Sequence, residues 1–239
     1  MKQIIRFFLK LAYTLYGLIK ILAGTKFRAK KKILNANSEP YYILGNGPSL
    51  KNDISRFDLN LKSDNLMVVN DFAITELYTE LKPEFYILAD PAYYVENLKP
   101  NLQIIAQNLF VALHEKTNWP LSIFVPYEGL KKIQEKLKEN EHITVLGYNK
   151  VNTWKGFKWF DRWMYHKQWA IISGLNVIMV ALSLSISMGI KKIYLLGVDH
   201  DWFKNLVVGD DNLLYILDTH FYDDDNLKPV PLSIERNNQ

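Results

Sequence analysis

The sequence predicts an α/β protein with a doubly wound, mostly parallel, Rossmann-like sheet and an N-terminal amphipathic helix. From residue 41 onward, short apolar runs such as LMVV and IYLL show no alternation, as expected for parallel strands that are buried on both faces. Polar or helix-forming stretches separate these runs, and alternation of strand and helix is typical of an open sheet covered by helices. A length of 239 residues suits one core, which we place in a single α/β domain at residues 40–239.

Seven apolar runs are predicted strands, and five stretches between them are predicted helices. The last of these helices begins at a serine and ends at Gly189, and both residue types favour helix ends. Residues 152–169 are rich in tryptophan and are predicted to be irregular. The predicted strands are Tyr41–Leu44, Leu66–Val69, Phe85–Ala89, Leu109–Leu113, Ser122–Val125, Ile143–Leu146 and Lys192–Leu196, and the predicted helices are residues 50–57, 72–81, 92–107, 128–139 and 173–189.

Residues 2–24 form an apolar segment that carries a single polar stripe. A cleaved signal peptide is disfavoured because lysines interrupt the apolar run, and a spanning helix is disfavoured because a central lysine costs about 2.5–3.5 kcal/mol. An in-plane helix with its stripe among the lipid headgroups fits the sequence best, and packing against a protein surface is the alternative. On a helix the stripe consists of Arg6, Lys10, Thr14, Gly17 and Lys20.

The charge and cysteine content narrow the class of protein. The net charge of +4 is uneven, since lysine and arginine crowd the first 32 residues and aspartate clusters within residues 199–225, unlike a nucleic-acid-binding surface. The absence of cysteine excludes disulfides, thiolate zinc sites and a cysteine nucleophile, and is consistent with a reducing compartment. We therefore predict a membrane-surface helix and basic linker at residues 1–32, a peripheral location at the cytoplasmic face of the inner membrane, and no nucleic-acid partner.

Polar residues follow four of the predicted strands, and in an open α/β sheet the carboxyl ends of the strands are where ligands bind. The segment GNGPSL, residues 45–50, follows the first strand and precedes a helix. Its glycines would let the backbone approach a phosphate, and a tight strand-to-helix turn is the alternative. The other strand tips are Asn70-Asp71, Asp90-Pro91 and Gly197-Val198-Asp199-His200.

Four residues in three segments are candidates for chemistry. Ser173 and Gly174 open the last predicted helix, where the serine is either a helix cap or a phosphate or ribose contact. Asp199 ends a strand and is placed to accept a hydrogen bond from a ribose or substrate hydroxyl. His220 lies in a loop, where it is either incidental or a general base supported by neighbouring aspartates.

The order of these motifs resembles the bacterial lipooligosaccharide sialyltransferases, whose pattern is GNGPSL…NQ…NP…RxTSG…IYLSGID. The matching pieces here are GNGPSL, Asn70 after the second strand, Pro91 after the third, Ser173-Gly174 before a helix, and IYLLGVD after it. The same skeleton is similar to a wider family of uncharacterised proteins that is grouped with the archaeal 6-hydroxymethylpterin diphosphokinases. The resemblance covers residues 40–220, and its GNGPSL and GVD pieces are specific together and weak apart.

The sialyltransferase resemblance implies a CMP-linked nucleotide-sugar donor and direct displacement without a metal. It implies that Tyr215, in a YILDT segment similar to a YxxDT motif, stabilises the leaving phosphate, and that His220 deprotonates the acceptor hydroxyl. The nucleotide-binding positions are then Asn46, Gly47, Ser49, Asn70, Ser173 and Gly174, to which we add Gly45 and Asp90 from the strand tips.

Three positions depart from the sialyltransferase pattern. Ala170 stands where the family has arginine, and Asp90 and Asp71 stand where it has asparagine and glutamine. The lost cation and the two added carboxylates disfavour sialic acid, and they make Mg²⁺ a candidate cofactor at Asp71 and Asp90. Residues 226–239 show neither a strand nor a helix pattern, so we expect a terminal portion to be missing.

These observations predict a glycosyltransferase of polysaccharide or lipopolysaccharide biosynthesis. It would move a sugar from a nucleotide-sugar donor to a glycan or lipid-linked glycan acceptor, and a membrane-surface helix suits a lipid-linked acceptor. One alternative is a magnesium-dependent, diphosphokinase-like phosphotransferase with a soluble substrate, which gives no reason for that helix. The other is a non-catalytic member of the same fold, consistent with the lost arginine.

Overall fold

The computed structural model describes residues 2–27, 40–57, 61, 65–95, 100–153, 155–172, 176–217, 220–221 and 229–231. Within these residues helices and strands alternate along the chain. The helices are α1 (Lys2–Gly24), α2 (Leu50–Phe57), α3 (Leu77–Leu81), α4 (Pro100–Lys116), α5 (Leu130–Leu137), α6 (Lys158–His166) and α7 (Val177–Met188). The strands are β1 (Tyr41–Leu44), β2 (Leu66–Val69), β3 (Phe85–Ile87), β4 (Leu121–Pro126), β5 (Ile143–Tyr148), β6 (Ile193–Leu196), β7 (Leu206–Val208), β8 (Leu214–Ile216) and β9 (Val230–Pro231).

A six-stranded parallel sheet flanked by helices confirms the predicted fold class. The strand order is β5-β4-β3-β2-β1-β6, so the chain builds outward from β1 and then returns to the other side of β1. This reversal makes the gap between β1 and β6 the topological switch point, where open α/β sheets bind their ligands. Every residue of β1, β2 and β3 is buried, which explains why their sequences do not alternate.

The chain divides into two compact units. The first consists of residues 1–43 and 61–194 and contains α1, β2 to β5 and α3 to α7. The second consists of residues 44–60 and 195–239 and contains α2 and a three-stranded antiparallel sheet of order β7-β8-β9, which the sequence analysis did not predict.

The strand predicted at Leu109–Leu113 is wrong, because these residues lie inside helix α4. Four of the five buried hydrophobic residues of this helix recur at the spacing i, i+3, i+4 and i+7, which places them on one face. A short apolar run is ambiguous between helix and strand when it is considered without its flanks. These four are Ala106, Leu109, Phe110 and Leu113, and the fifth buried residue is Ala112.

Helix α6 and the start of helix α7 also differ from the prediction. Residues 158–166 form helix α6 instead of an irregular stretch, and Phe160 and Met164 are buried one turn apart on its inner face. Helix α7 begins at Val177, because the side chain of Asn176 accepts a hydrogen bond from the Ile178 amide at 2.8 Å and caps it. It ends at Gly189, as predicted, with φ of 91°.

Helix α1 packs a narrow face on the rest of the first unit, and that face is part of the polar stripe. The amide of Phe157 donates to Thr14 Oγ1 at 3.0 Å, and Lys20 Nζ donates to Asn152 Oδ1 at 2.8 Å. Gly17 is buried beside Thr153, where a Cβ atom would lie 3.2 Å from the threonine methyl. The stripe from Thr14 to Lys20 therefore faces protein, and the expectation that it faces lipid headgroups is wrong for this part.

Most of the remaining surface of α1 is apolar and exposed. The helix is long and apolar enough to cross a membrane by length and composition. Its exposed surface is far more apolar than soluble monomers usually present, and such surfaces mark sites of protein or membrane interaction. The exposed side chains are Ile4, Ile5, Phe7, Phe8, Leu9, Leu11, Tyr13, Leu15, Tyr16, Leu18, Ile19 and Leu22.

Candidate functional site

The loop that follows β1 lies directly against the loop that follows β6. The Gly45 amide donates to Leu196 O at 2.8 Å, and the Gly47 amide donates to Gly197 O at 2.9 Å. A Cβ atom on Gly45 would lie 2.4 Å from Gly197 O, which is closer than real Cβ atoms approach. Glycine is therefore required here so that the two loops at the switch point can meet.

Two carboxylates of the second unit are hydrogen-bonded to these loops. Asp199 Oδ2 accepts from the Ser49 amide at 3.2 Å, at the start of helix α2. Asp53 Oδ2 accepts from the Gly197 amide at 2.9 Å and from Ser49 Oγ at 3.2 Å. Sequence reasoning missed Asp53, although an acidic residue in the first turn of a helix was a usable signal.

These contacts change how the GNGPSL segment can bind a ligand. The amides of Gly45, Gly47 and Ser49 all donate to acceptors within the protein, so a phosphate would have to use other donors or displace Asp199. An ionised carboxylate offers about four acceptor positions, so Asp199 can cap α2 and accept a ligand hydroxyl at the same time. The arrangement favours a ribose or sugar hydroxyl as the ligand group at Asp199.

The structure brings the segment of His220 to the glycine loop. The amide of Phe221 donates to Asn46 O at 3.1 Å, and the Phe221 side chain is buried. Since His220 is the preceding residue, the predicted base and the predicted nucleotide loop are neighbours within the second unit. Sequence reasoning placed both in one site without being able to show this contact.

Tyr215 lies in strand β8, and its hydroxyl donates to Asp211 Oδ2 at 2.7 Å. This hydrogen bond raises the pKa of Tyr215 and lowers the pKa of Asp211. The Tyr215 hydroxyl therefore donates its proton in a hydrogen bond to Asp211. A contact between Tyr215 and a leaving phosphate would require the tyrosine to release this carboxylate.

In the first unit, Asn70 follows β2 with a left-handed backbone, at φ of 47°. Asparagine tolerates this region better than most residues. The buried hydroxyl of Tyr86 donates to Asn70 O and accepts from the Ala73 amide at 2.8 Å, and burial raises the pKa of Tyr86. Tyr86 thus fixes the turn that carries Asn70, and no sequence pattern indicated this role.

Asp71 and Asp90 accept hydrogen bonds from protein donors. Tyr93 donates its hydroxyl to Asp71 Oδ1 at 3.0 Å, and the Ala92 amide donates to Asp90 Oδ1 at 2.8 Å. In the part of the chain that the structure describes, no three histidine, aspartate or glutamate side chains are grouped to hold a metal ion. Magnesium binding by Asp71 and Asp90 stays a prediction. Ser173 and Gly174 lie outside the described residues.

We expect Tyr86→Phe to lower the free energy of unfolding by about 1–3 kcal/mol, because the Asn70 carbonyl and the Ala73 amide each lose a buried hydrogen-bond partner. The exchange keeps the ring and its packing, so the loss reports the hydroxyl alone. Urea denaturation of the purified protein measures the change. Unfolding at the wild-type midpoint would show that the Tyr86 hydroxyl does not stabilise the turn at Asn70.

Comparison with known proteins gives a family and a distant structural likeness. The model of the family described as 6-hydroxymethylpterin diphosphokinase MptE-like matches residues 18–205. No curated protein matches the chain. The structure of MAf glycosyltransferase from Magnetospirillum magneticum AMB-1 is similar at 15% identity and a TM-score of 0.43, over 80% of this chain. The chain spans 28% of the length of that glycosyltransferase.

Proposed function

This chain belongs to the 6-hydroxymethylpterin diphosphokinase MptE-like family, and we propose that it is a membrane-attached glycosyltransferase. It would move a sugar from a nucleotide-sugar donor, with CMP-linked donors favoured, to a lipid-linked glycan acceptor. The observation that carries the proposal is the pairing of the Gly45–Ser49 loop with the 197–199 loop at the switch point of the sheet. Open α/β sheets bind nucleotides at such points.

The donor contacts are proposed within the second unit. Asp199 accepts a hydrogen bond from a hydroxyl of the ribose or of the sugar, and the side chains of Asn46 and Ser49 supply further polar contacts. Gly45 and Gly47 act by allowing the close approach of the two loops. This assignment is supported by the hydrogen bond between Asp199 and the Ser49 amide, which fixes the carboxylate at the loop.

The proposed reaction is a direct displacement at the anomeric carbon of the donor sugar. The acceptor oxygen forms a bond to that carbon while the bond from the carbon to the phosphate oxygen breaks, and the nucleotide leaves with the electron pair. The acceptor proton passes to His220, which acts as the general base. The Tyr215 hydroxyl gives up its hydrogen bond to Asp211 and donates one to the leaving phosphate instead.

Helix α1 is proposed to lie in the plane of the membrane surface. It contacts the rest of the first unit from Phe7, whose ring centroid is 5.6 Å from that of Phe157, to its end, where the following residue Thr25 donates to Trp169 O. A helix held along its length in this way is not free to cross a bilayer on its own. The exposed cations Arg6 and Lys10 favour anionic lipids, so we place the protein peripherally at the cytoplasmic face of the inner membrane.

The test of the donor is a thermal-shift panel of CMP, CDP, UDP, GDP, ADP and ATP, each with and without magnesium. A ligand at a hundredfold excess over its dissociation constant adds about 2.7 kcal/mol of stability. We expect a shift with CMP that does not depend on magnesium. A panel in which no nucleotide raises the melting temperature would contradict a nucleotide-dependent transferase.

The second candidate is a magnesium-dependent diphosphokinase-like phosphotransferase, which the description of the family favours. Asp71 and Asp90 would then hold the metal. A thermal shift that requires both ATP and magnesium would favour this function over the first. Loss of that shift in Asp71→Asn and Asp90→Asn would assign the ion to these residues.

We expect His220→Ala to lower the rate of transfer by about 10²–10⁴-fold, because the acceptor hydroxyl loses its base. Donor binding should not change, since the base acts on the acceptor. His166→Ala, at an exposed position of helix α6, is the control. Transfer rates under single-turnover conditions measure the effect, and an unchanged rate would remove His220 from the mechanism.

A further inference from the structure

Helices α1 and α6 lie side by side and run in the same direction. They meet at three successive turns, and the two residues of each contacting pair are 143 positions apart, so both helices advance together. One side of α6 is therefore covered by α1. The pairs are Thr14 with Phe157 through a hydrogen bond, Gly17 with Phe160 by close approach, and Ile21 with Met164 within one buried cluster.

A second side of α6 is exposed and carries two tryptophans. Trp159 and Trp163 are one turn apart, and they are 67% and 48% exposed. A third side faces the rest of the first unit, where the hydroxyl of Tyr165 donates to Thr153 O. Tryptophan is highly buried on average in soluble proteins, so an exposed pair on one helix face indicates an interaction surface.

Aromatic contacts join both tryptophans to the surface of α1. The ring centroid of Phe157 is 5.6 Å from that of Phe7 on α1 and 6.5 Å from that of Trp159. At the other end of α6, the ring of Trp163 lies 5.9 Å from that of Trp169, whose carbonyl accepts a hydrogen bond from the residue that follows α1. The exposed side of α6 is thus continuous with α1 at both ends.

The part of α1 that adjoins the tryptophans is a row of exposed apolar side chains. Its members recur every three or four residues, so they share one face of the helix. Since Phe7 belongs to this row and contacts Phe157, the row runs beside Trp159 and Trp163. We call the whole strip the α1–α6 surface, and it consists of Phe7, Leu11, Leu15, Leu18, Leu22, Trp159 and Trp163.

The sequence around α6 is basic. Between residues 155 and 169 four exposed cations accompany a single acidic residue, and residues 1–32 contain no acidic residue. Tryptophan rings among cations at the edge of an apolar strip are typical of a membrane interface, where the cations reach the lipid phosphates. Interfaces between proteins are depleted in lysine, so this composition favours an anionic bilayer over a protein partner. The four cations are Lys155, Lys158, Arg162 and Lys167.

We infer that α6 is a second membrane-binding element, which inserts Trp159 and Trp163 into the interface of an anionic bilayer beside α1. Arg162 and Lys167 flank the second tryptophan and bind lipid phosphates. The inference rests on the proposed attachment through α1, and it adds which side of that helix faces lipid. Glycosyl transfer plays no part in it. Two parallel helices in the interface define a plane, so the protein cannot roll about the axis of α1.

Single labels on the full chain test whether both helices meet lipid. The chain has no cysteine, so one introduced cysteine carries an environment-sensitive NBD dye at one position. Trp159→Cys reports on α6, Leu15→Cys reports on α1, and Ile105→Cys on the exposed side of α4 is the control. With vesicles of equal parts phosphatidylcholine and phosphatidylglycerol, we expect the emission to shift to shorter wavelength at the first two positions and to stay unchanged at the third.

Trp163→Cys repeats the measurement on α6 with Trp159 in place. A shift at Leu15 with none at either tryptophan position would overturn the inference and leave attachment through α1 intact. No shift at any position would overturn both. Loss of the nucleotide thermal shifts with intact dye shifts would defeat the glycosyltransferase function alone, so the failures are distinguishable.

Co-flotation with the same vesicles measures what the tryptophans contribute. We expect Trp159→Ala with Trp163→Ala to lower the partition coefficient by at least about tenfold, because two large apolar rings no longer enter the interface. Ile104→Ala with Val111→Ala, at exposed positions of α4, is the matched control and should leave the coefficient unchanged. Equal partitioning of the tryptophan variant and the wild type would overturn the inference.

The cations are tested by the lipid charge. We expect Arg162→Gln with Lys167→Gln to lower partitioning to the anionic vesicles about tenfold, and to leave partitioning to vesicles of phosphatidylcholine alone unchanged. Lys131→Gln with Lys132→Gln, at exposed positions of α5, is the control of equal charge. An equal loss in both double variants would reflect net charge alone and overturn the assignment of phosphates to α6.

Discussion

Gly47→Ala is expected to abolish nucleotide binding and to lower the free energy of unfolding by about 1–3 kcal/mol. A Cβ atom at this position would lie 2.1 Å from Asp199 Oδ2 and 2.7 Å from Gly197 O. The carboxylate can move away only by giving up the Ser49 amide, and the carbonyl belongs to the backbone of the facing loop. The substitution therefore opens the contact between the two loops at the switch point.

Urea denaturation and the nucleotide thermal-shift panel measure the two effects. Gly24→Ala is the matched control, since a Cβ atom there would meet only the end of the Val151 side chain, at 3.1 Å. A Gly47→Ala protein with normal stability and normal nucleotide shifts would show that the close approach of these loops is not needed. A protein that keeps its stability but loses the shifts would support the binding site alone.

The second large effect is expected at the exposed face of helix α1. We expect the triple variant Leu15→Glu, Ile19→Glu and Leu22→Glu to release the protein from lipid vesicles, lowering its partition coefficient by more than about a thousandfold. Burial of each such side chain is worth about 1.5–3 kcal/mol, and each 1.4 kcal/mol is a factor of ten. All three side chains are exposed in the protein, so the domain itself should remain folded.

Co-flotation with vesicles of phosphatidylethanolamine and phosphatidylglycerol measures this partitioning. The control is a triple variant of exposed apolar residues on helix α4, Ile104→Glu, Ile105→Glu and Val111→Glu. If both triple variants float as the wild type does, the α1 surface does not bind the bilayer. If the wild type fails to float, a protein partner becomes the better explanation of the exposed face.

The parallel core could be predicted because its strands are buried on both faces. Strands β1 and β2 occur at the predicted residues, because a continuous apolar run such as LMVV is what a strand buried on both faces requires. Helix α6 was missed because tryptophan, phenylalanine and tyrosine are only moderate helix formers, and Phe160 and Met164 were its only inward pair. The hairpin of β7 and β8 was missed although its two apolar runs flank five residues that include Gly209.

The candidate site was predicted in part, because strand tips can be read from the sequence and their partners cannot. GNGPSL and Asp199 were found as separate segments, whereas Asp53 and Gly197, which touch one another, are 144 positions apart. The carbonyls of Leu196 and Gly197, which accept from the amides of Gly45 and Gly47, are similarly distant from the loop in the sequence. The same reason hid the orientation of α1, since the partner of Lys20 lies 132 residues further along the chain.

The contacts that hold Thr14, Lys20 and Thr25 have a consequence for encounters on a bilayer. A protein tethered by a flexible anchor tumbles at the surface and has to find the correct orientation for each substrate. Here helix α1 is joined to the rest of the first unit by hydrogen bonds, so attachment through this helix would fix tilt and depth together. The entropy of orientation would then be lost once, on attachment, and each lipid diffusing in two dimensions would meet an already aligned protein.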